Sequence, residues 1–172
     1  MLILVTGGSA SGKSAYAESL CLGLSPRVYL ACMQPFGDEG ARRIARHRAM
    51  RRDKGFLTVE RYTELASLIL PPCACVLLED LGNLAANEMF LTEPPSDPFD
   101  AAIRGIDALL SQCERLVVVT DELGSDGIDY DPATTAYLAA LGALNRAVAA
   151  RADAVIEVVA GIPIPLKGEL PV

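Results

Sequence analysis

Residues 1–14, MLILVTGGSASGKS, decide the fold of this 172-residue chain. The apolar run at 2–6 predicts a buried strand, and the helix-like pattern SAYAESLCLGL follows from residue 14. Between them GGSASGKS matches the spacing G-x-x-x-x-G-K-[ST], with the fixed positions filled by Gly7, Gly12, Lys13 and Ser14. A strand, a glycine-rich turn and a helix in this order predict a phosphate-binding loop, or P-loop.

The residue types of this loop indicate how it would hold a nucleotide. Glycine adopts backbone conformations closed to residues with a Cβ, so successive N–H groups can point at one anion. The predicted nucleotide contacts are Gly7, Gly8, Ser9, Ala10, Ser11, Gly12, Lys13 and Ser14. In this pattern Lys13 reaches the β- and γ-phosphates, and the Ser14 hydroxyl binds Mg²⁺. The alternative is a glycine-rich turn that binds nothing, but this spacing rarely arises by chance behind a strand.

The composition favours a single cytoplasmic α/β domain over residues 1–172. Hydrophobic residues make up 51% and aromatic residues 5%, with no Trp, which is typical of buried parallel strands covered by helices. No apolar run approaches the length of a membrane span, and residues 1–6 are too short for a signal peptide, so we predict neither. The five cysteines are odd in number and form no C-x-x-C pair, which indicates neither a zinc site nor a disulfide framework.

The pattern of apolar runs predicts an alternation of strands and helices. The predicted strands are 2–6, 27–31, 56–60, 74–79, 115–120 and 154–159, and the predicted helices are 12–23, 38–52, 62–70, 81–91, 99–113 and 132–151. This order predicts a P-loop NTPase-type fold, with a mostly parallel sheet flanked by helices. Pro163 and Pro165 cannot donate to a ladder, so the tail should form a C-terminal edge hairpin. The loops after residues 6, 31, 60, 79 and 120 should meet at one site.

Charge is distributed unevenly along the chain. The net charge of −7 argues against nucleic acid or an anionic membrane as a partner. Residues 42–54 nevertheless hold seven of the fifteen basic residues and carry +6, whereas the remainder carries −13. The only histidine, His47, lies in this segment, and on a helix Arg43 and Arg51 share its face, with Arg46 beside it. Cations nearby favour a neutral, nucleophilic imidazole, and arginines can hold a triphosphate; the alternative is a solvated basic face.

Acidic residues follow two predicted strands. Glu79 and Asp80 come directly after a buried run, and either one is a candidate ligand for the Mg²⁺ at Ser14. Both would also stabilise the N-terminus of the next helix. The segment from Asp121 to Gly124 imitates the D-x-x-G of a GTPase switch, but the chain has no N-K-x-D segment to read guanine in that manner.

Five segments together resemble one enzyme family nearly end to end. They are ILVTGGSASGKSAYAE, ARRIARHR, VLLED followed by NEMF, VVVTDELG and LNRAVAARADAVIEVVAGIPIPLKG. The chain is similar in them to the bifunctional adenosylcobinamide kinase/adenosylcobinamide-phosphate guanylyltransferases of cobalamin biosynthesis. The P-loop alone would be unspecific, whereas its combination with R-I-x-x-H and the C-terminal segments is far more specific.

The resemblance implies two reactions on a RecA-like core. A nucleoside triphosphate, ATP or GTP, would phosphorylate the aminopropanol hydroxyl of adenosylcobinamide, and GTP would then donate GMP to that phosphate through a guanylylated histidine matching His47. The resemblance also implies Glu79 near Mg²⁺ and a homotrimer. The sequence departs from the family pattern at Arg46, where many members have a second histidine, at Asp121, where they have asparagine, and in the arginine-poor stretch 132–146.

Two simpler functions remain compatible with the residues considered one by one. A monofunctional P-loop kinase for a small molecule would use the same loop but gives no reason for a histidine among arginines. A non-catalytic nucleotide-binding regulatory module would bind GTP without turnover.

Overall fold

The computed structural model describes residues 1–35, 42, 45, 49, 51–91, 93–124 and 126–171. Its strands are β1 (Leu2–Thr6), β2 (Arg27–Ala31), β3 (Phe56–Glu60), β4 (Cys75–Glu79), β5 (Arg115–Val119), β6 (Ala154–Val159) and β7 (Ile162–Lys167). They form a seven-stranded sheet in the order β3-β2-β4-β5-β1-β6-β7. Neighbouring strands are parallel except for β6 and β7, which confirms the predicted mostly parallel sheet.

The strand carrying the P-loop lies near the middle of the sheet. Leu4 of β1 has Val118 of β5 on one side and Val155 of β6 on the other. Successive residues of β1 face opposite layers: Leu2 and Leu4 pack in one apolar cluster, and Ile3 and Val5 in the other. Because both faces are covered, the strand is apolar throughout, as its sequence predicts.

Four α-helices whose full bounds lie within the described residues cover the two faces of the sheet. They are α1 (Lys13–Ser19), α2 (Leu81–Phe90), α3 (Phe99–Leu110) and α4 (Pro132–Arg151). Ala17 of α1 packs in the cluster of Ile3 and Val5, and the other three helices contribute Leu84, Ile106 and Leu144 to the opposite cluster. At the start of α4 the Asp131 carboxylate accepts hydrogen bonds from the backbone N–H groups of Ala133 and Thr134.

The prediction of a helix over 62–70 is wrong, because this connection contains only a 3-10 turn, Leu65–Ser67. Glu64 precedes it in a left-handed conformation at φ 53, and its backbone N–H donates to the Glu88 carboxylate at 2.6 Å. The Gln112 side chain accepts from the Leu70 N–H at 2.8 Å. Side chains from elsewhere in the fold therefore satisfy backbone groups that a helix would have paired internally.

Two other helices end earlier than predicted, whereas α4 has the predicted bounds 132–151. α1 ends at Ser19 and α3 at Leu110, earlier than residues 23 and 113. Most of the predicted helix 38–52 lies outside the described residues, although Arg42, Ala45 and Ala49 are helical. Among the residues described, none of the helices has the length and hydropathy that crossing a membrane requires.

The C-terminal hairpin follows the prediction. β7 pairs antiparallel with β6 and forms one edge of the sheet, with Pro163 and Pro165 in the edge strand. Ala160 and Gly161 form the turn with φ of 50 and 80, both in the left-handed region that favours glycine. This turn reaches the P-loop, because the Gly161 N–H donates to the Ser11 carbonyl at 2.8 Å.

Candidate functional site

The P-loop occupies the turn between β1 and α1, at the carboxyl edge of the sheet, with no room for side chains at two of its glycines. Gly7 and Gly12 have φ of 152 and 96. A Cβ on Gly7 would lie 2.6 Å from the Val158 carbonyl oxygen, and one on Gly12 would lie 3.2 Å from the Cα of Gly161. The end of β6 and the hairpin turn therefore brace the loop. The sequence motif carries no sign of this support, because its residues are about 150 positions away.

The Lys13 side chain is held at the front of the loop and is nearly buried, with 8% of it exposed. Its ammonium donates to the Gly8 carbonyl at 3.1 Å and lies 2.6 Å from the Asp121 carboxylate. Asp121 follows β5, so the ion pair joins two neighbouring strand ends. The lysine is thus positioned within the loop where the motif requires it. The Asp121 carboxylate pairs with the same ammonium group that a bound phosphate would contact.

Of the two acids that the sequence offered as partners of Ser14, the structure places Glu79 in contact with it. The Ser14 hydroxyl donates to Glu79 Oε1 at 2.6 Å, although β5 separates the strands that precede the two residues. Burial raises the pKa of the Glu79 carboxyl to about 8, against the opposing effect of the Ser14 hydrogen bond. Its second oxygen, Oε2, is buried without a hydrogen-bond partner among the described residues. An unpaired buried carboxylate oxygen beside the P-loop serine is a suitable ligand for a hard cation.

Asp80, the other candidate ligand, caps α2. Its two carboxylate oxygens accept from the backbone N–H and the side-chain amide of Asn83, each at 2.7 Å. The structure thus separates the two adjacent acids: Glu79 contacts Ser14, whereas Asp80 stabilises the helix N-terminus.

The described residues contain no group of three His, Cys, Asp or Glu side chains arranged to hold a metal. One hydroxyl and one carboxylate nevertheless fit Mg²⁺, which commonly keeps several waters and takes further oxygens from substrate phosphates. Mg²⁺ at this position stays a prediction.

The loop after β5 is tied to the P-loop by its backbone. The Glu122 N–H donates to the Gly7 carbonyl at 3.3 Å, and the Thr120 N–H to the Val5 carbonyl at 2.9 Å. The Thr120 hydroxyl, 1% exposed, donates to the Asn145 side chain of α4 at 2.8 Å. Asn145 was not a candidate from the sequence, since nothing in its neighbourhood marks it as lying near this edge.

Of the basic segment, His47, Arg43 and Arg46 lie outside the described residues. Arg51 is described, and its guanidinium carbon lies 3.3 Å from the centre of the Tyr29 ring, a cation–π contact. The residue is 6% exposed, and its Nε and Nη1 have no hydrogen-bond partner among the described residues. The contribution of these four side chains to nucleotide binding stays a prediction.

Lys54 anchors the end of the basic segment to α1. Its ammonium forms an ion pair with Glu18, a carboxylate that is itself 1% exposed. Glu18 lies on α1, five residues after the P-loop lysine. The basic segment is therefore joined to the helix that follows the P-loop.

Comparison with known proteins assigns the family. The family model described as "Cobinamide kinase / cobinamide phosphate guanyltransferase" matches residues 3–166. The chain is 35% identical to the "Bifunctional adenosylcobalamin biosynthesis protein CobU" of Escherichia coli (strain K12), over 97% of this chain and 100% of that protein. It is 36% identical to the protein of the same name from Salmonella typhimurium (strain LT2), with the same coverage.

Among solved structures, the RadB recombinase superposes with a TM-score of 0.50 at 15% identity, over 91% of this chain and 73% of that chain. This likeness concerns the fold alone and agrees with the RecA-like core implied by the family resemblance. With the P-loop, the Ser14–Glu79 pair and the parallel sheet in place, and with a family match over nearly its whole length, the chain belongs to the cobinamide kinase/cobinamide phosphate guanyltransferase family.

Proposed function

We propose that this protein phosphorylates adenosylcobinamide with a nucleoside triphosphate and then transfers GMP from GTP to the new phosphate, giving adenosyl-GDP-cobinamide. The observation that carries the proposal is the joining of Lys13, Ser14 and Glu79 at one sheet edge in a chain of this family. ATP and GTP are its nucleotide substrates and a corrinoid is its acceptor.

In the kinase step the acceptor hydroxyl oxygen attacks the γ-phosphorus. The bond between the γ-phosphorus and the bridging oxygen breaks, the nucleoside diphosphate leaves, and the hydroxyl proton passes to a base or solvent. Backbone N–H groups of residues 7–12 and the Lys13 ammonium hold the phosphates and stabilise the charge that develops on them. Ser14 and Glu79 would hold Mg²⁺, which would supply further charge neutralisation for the phosphate oxygens.

In the guanylyl step a neutral His47 imidazole attacks the α-phosphorus of GTP and pyrophosphate leaves. The resulting phosphoramidate is then attacked by an oxygen of the cobinamide phosphate, which breaks the P–N bond and restores the imidazole. Arg43, Arg46 and Arg51 would neutralise charge on the phosphates during both displacements.

A homotrimer and a cytoplasmic location belong to the same proposal. The oligomer has a candidate contact surface on the edge hairpin, where Val159, Ile162 and Ile164 are 46, 64 and 41% exposed. Val159 pairs with Ile162 on one face of the hairpin, so the exposed apolar side chains are contiguous.

Labelled GTP distinguishes this function from the simpler ones. Wild type incubated with α-labelled GTP should retain label on the protein, and γ-labelled GTP should leave none. The bond should be cleaved by acid and survive base, as expected for P–N. A monofunctional kinase would transfer γ-label to the corrinoid without labelling the protein, and a regulatory module would bind GTP without turnover.

The variant His47→Ala should lose protein labelling and guanylyl transfer while keeping most of the kinase activity, because direct γ-transfer needs no covalent intermediate. Arg52→Ala, which removes an exposed side chain from the same segment, is the control and should keep both activities. Labelling that persists in His47→Ala would place the nucleophile elsewhere.

A further inference from the structure

A pocket of about 360 Å³ lies between the loop after β5 and the first turns of α4. Its walls include the apolar side chains of Leu123 and Leu138 and the rings of Tyr130 and Tyr137, and two acids, Glu122 and Asp126, also line it. This volume falls within the range of about 300 to 1,000 Å³ that is usual for small-molecule sites. None of the contacts assigned to nucleotide or metal above involves the side chains of these residues.

The pocket adjoins the P-loop at the phosphate end of the site. Glu122 comes directly after Asp121, whose carboxylate lies 2.6 Å from the Lys13 ammonium. On the other wall, the Tyr137 hydroxyl donates to the Gly82 carbonyl at 3.2 Å, beside the cap of α2. Burial, together with the smaller effect of the Asp80 and Asp121 charges, raises the pKa of Tyr137 to about 12, so the phenol is within electrostatic reach of both carboxylates. A ligand in the pocket would therefore lie next to the terminal phosphate.

The negative charges around the pocket argue against a triphosphate as its ligand, in addition to the one held by the P-loop. Asp126 accepts hydrogen bonds from the Tyr130 hydroxyl and from the Ile128 N–H, and the first of these is the main reason that its pKa lies below the usual value. Neither lysine nor arginine is among the described lining residues. An acidic pocket with tyrosine and leucine walls favours a neutral or cationic ligand whose N–H and O–H groups can donate to carboxylates.

We propose that this pocket binds the hydroxyalkyl amide arm of the corrinoid acceptor, so that the hydroxyl reaches the γ-phosphate while the macrocycle stays outside. The proposal rests on the proposed kinase function and adds the location of its acceptor. An arm of this kind is neutral, has amide N–H and hydroxyl donors for Glu122 and Asp126, and has an alkyl part for the leucines. The macrocycle itself is too large for the pocket volume.

Direct binding measurements test this assignment. Adenosylcobinamide would be titrated by equilibrium dialysis, read by its visible absorbance, into wild type, Tyr130→Ala and Leu123→Ala. A fluorescent non-hydrolysable GTP analogue would be titrated into the same proteins. Ile128→Ala is the matched control, since Ile128 lies in the same loop, is 62% exposed and is not among the lining residues.

We expect Tyr130→Ala and Leu123→Ala each to weaken corrinoid binding at least fivefold, to raise the KM for the corrinoid in proportion, and to leave the nucleotide Kd within twofold. Ile128→Ala should leave the Kd values of both the corrinoid and the nucleotide within twofold of the wild-type values. Unchanged corrinoid affinity in both pocket variants would overturn the assignment and leave the kinase function standing. Weakened nucleotide binding with unchanged corrinoid binding would reassign the pocket to the nucleotide. Failure of wild type to bind or phosphorylate the corrinoid would instead refute the proposed function.

Discussion

Replacing Asp121 with asparagine should tighten nucleotide binding. The Asp121 carboxylate lies 2.6 Å from the Lys13 ammonium, and the side chains are only 21% and 8% exposed. A phosphate that binds this ammonium must displace the carboxylate and then remain close to its negative charge. Asparagine keeps the size of the side chain and removes that charge, so the competition for Lys13 is largely lost.

The expected gain in nucleotide affinity follows from the strength of the contact between Asp121 and Lys13. A hydrogen bond to a charged group contributes about 1.5–3 kcal/mol, and partial exposure of Asp121 argues for the lower end of that range. About 1.4 kcal/mol corresponds to a tenfold change in Kd, so we expect nucleotide affinity to rise roughly tenfold. The thermal midpoint without nucleotide should fall, because Lys13 loses its ion-pair partner while nearly buried.

The assay is equilibrium titration of a fluorescent non-hydrolysable GTP analogue at fixed pH and ionic strength, with thermal unfolding measured in parallel. Asp129→Asn makes the same change in net charge in the same loop at an exposed position and should alter Kd less than twofold. Unchanged or weaker binding in Asp121→Asn, or an equal gain in Asp129→Asn, would refute the competition between carboxylate and phosphate.

Two further predictions concern the phosphate and cation contacts. Lys13→Ala should abolish both the kinase and the guanylyl activity in product assays, because one loop serves both triphosphates and loses its charge-assisted contact; near-normal kinase turnover by the folded variant would show that GGSASGKS is not the kinase site. Glu79→Gln should raise the Mg²⁺ concentration needed for half-maximal activity. In this variant the required Mg²⁺ concentration should no longer depend on pH. With a pKa of about 8, the wild-type carboxyl must lose a proton to bind a cation, so its Mg²⁺ requirement should fall as pH rises toward 8. Because that pKa is raised from 4.5, the free energy of unfolding of wild type should also fall as pH rises from 4.5 to about 8, less so in Glu79→Gln. Identical Mg²⁺ and pH profiles for the two proteins would contradict the role of Glu79.

Local patterns in the sequence were sufficient for most of the sheet. Each predicted strand from 2–6 to 154–159 is present within one residue of its predicted bounds, and Pro163 and Pro165 marked the edge strand. Buried parallel strands require apolar residues on both faces, so this part of the fold can be read from short continuous runs. The P-loop was identifiable for a similar reason, since its glycines and its lysine lie within eight consecutive residues.

The prediction of a helix at 62–70 was wrong because the conformation of this connection depends on hydrogen bonds to distant residues. The run RYTELASLIL has helical periodicity, yet Glu64 and Leu70 donate their N–H groups to Glu88 and Gln112. Leu65 is fully buried while Ile69 is 90% exposed, so packing selects some of its apolar residues and leaves others in solvent. No local pattern encodes a hydrogen bond to a residue more than twenty positions away.

The sequence by itself determined the P-loop, the class of fold, the candidate pair of Ser14 with Glu79 or Asp80, and the family. Only the tertiary structure decided that Glu79 contacts Ser14 while Asp80 caps a helix, that Asp121 lies on the Lys13 ammonium, and that the hairpin turn at Gly161 braces Gly12. The physical reason is the range of the interactions. Backbone conformation and burial follow from neighbouring residues, whereas the partner of a charged or polar side chain depends on which strand ends the sheet brings together.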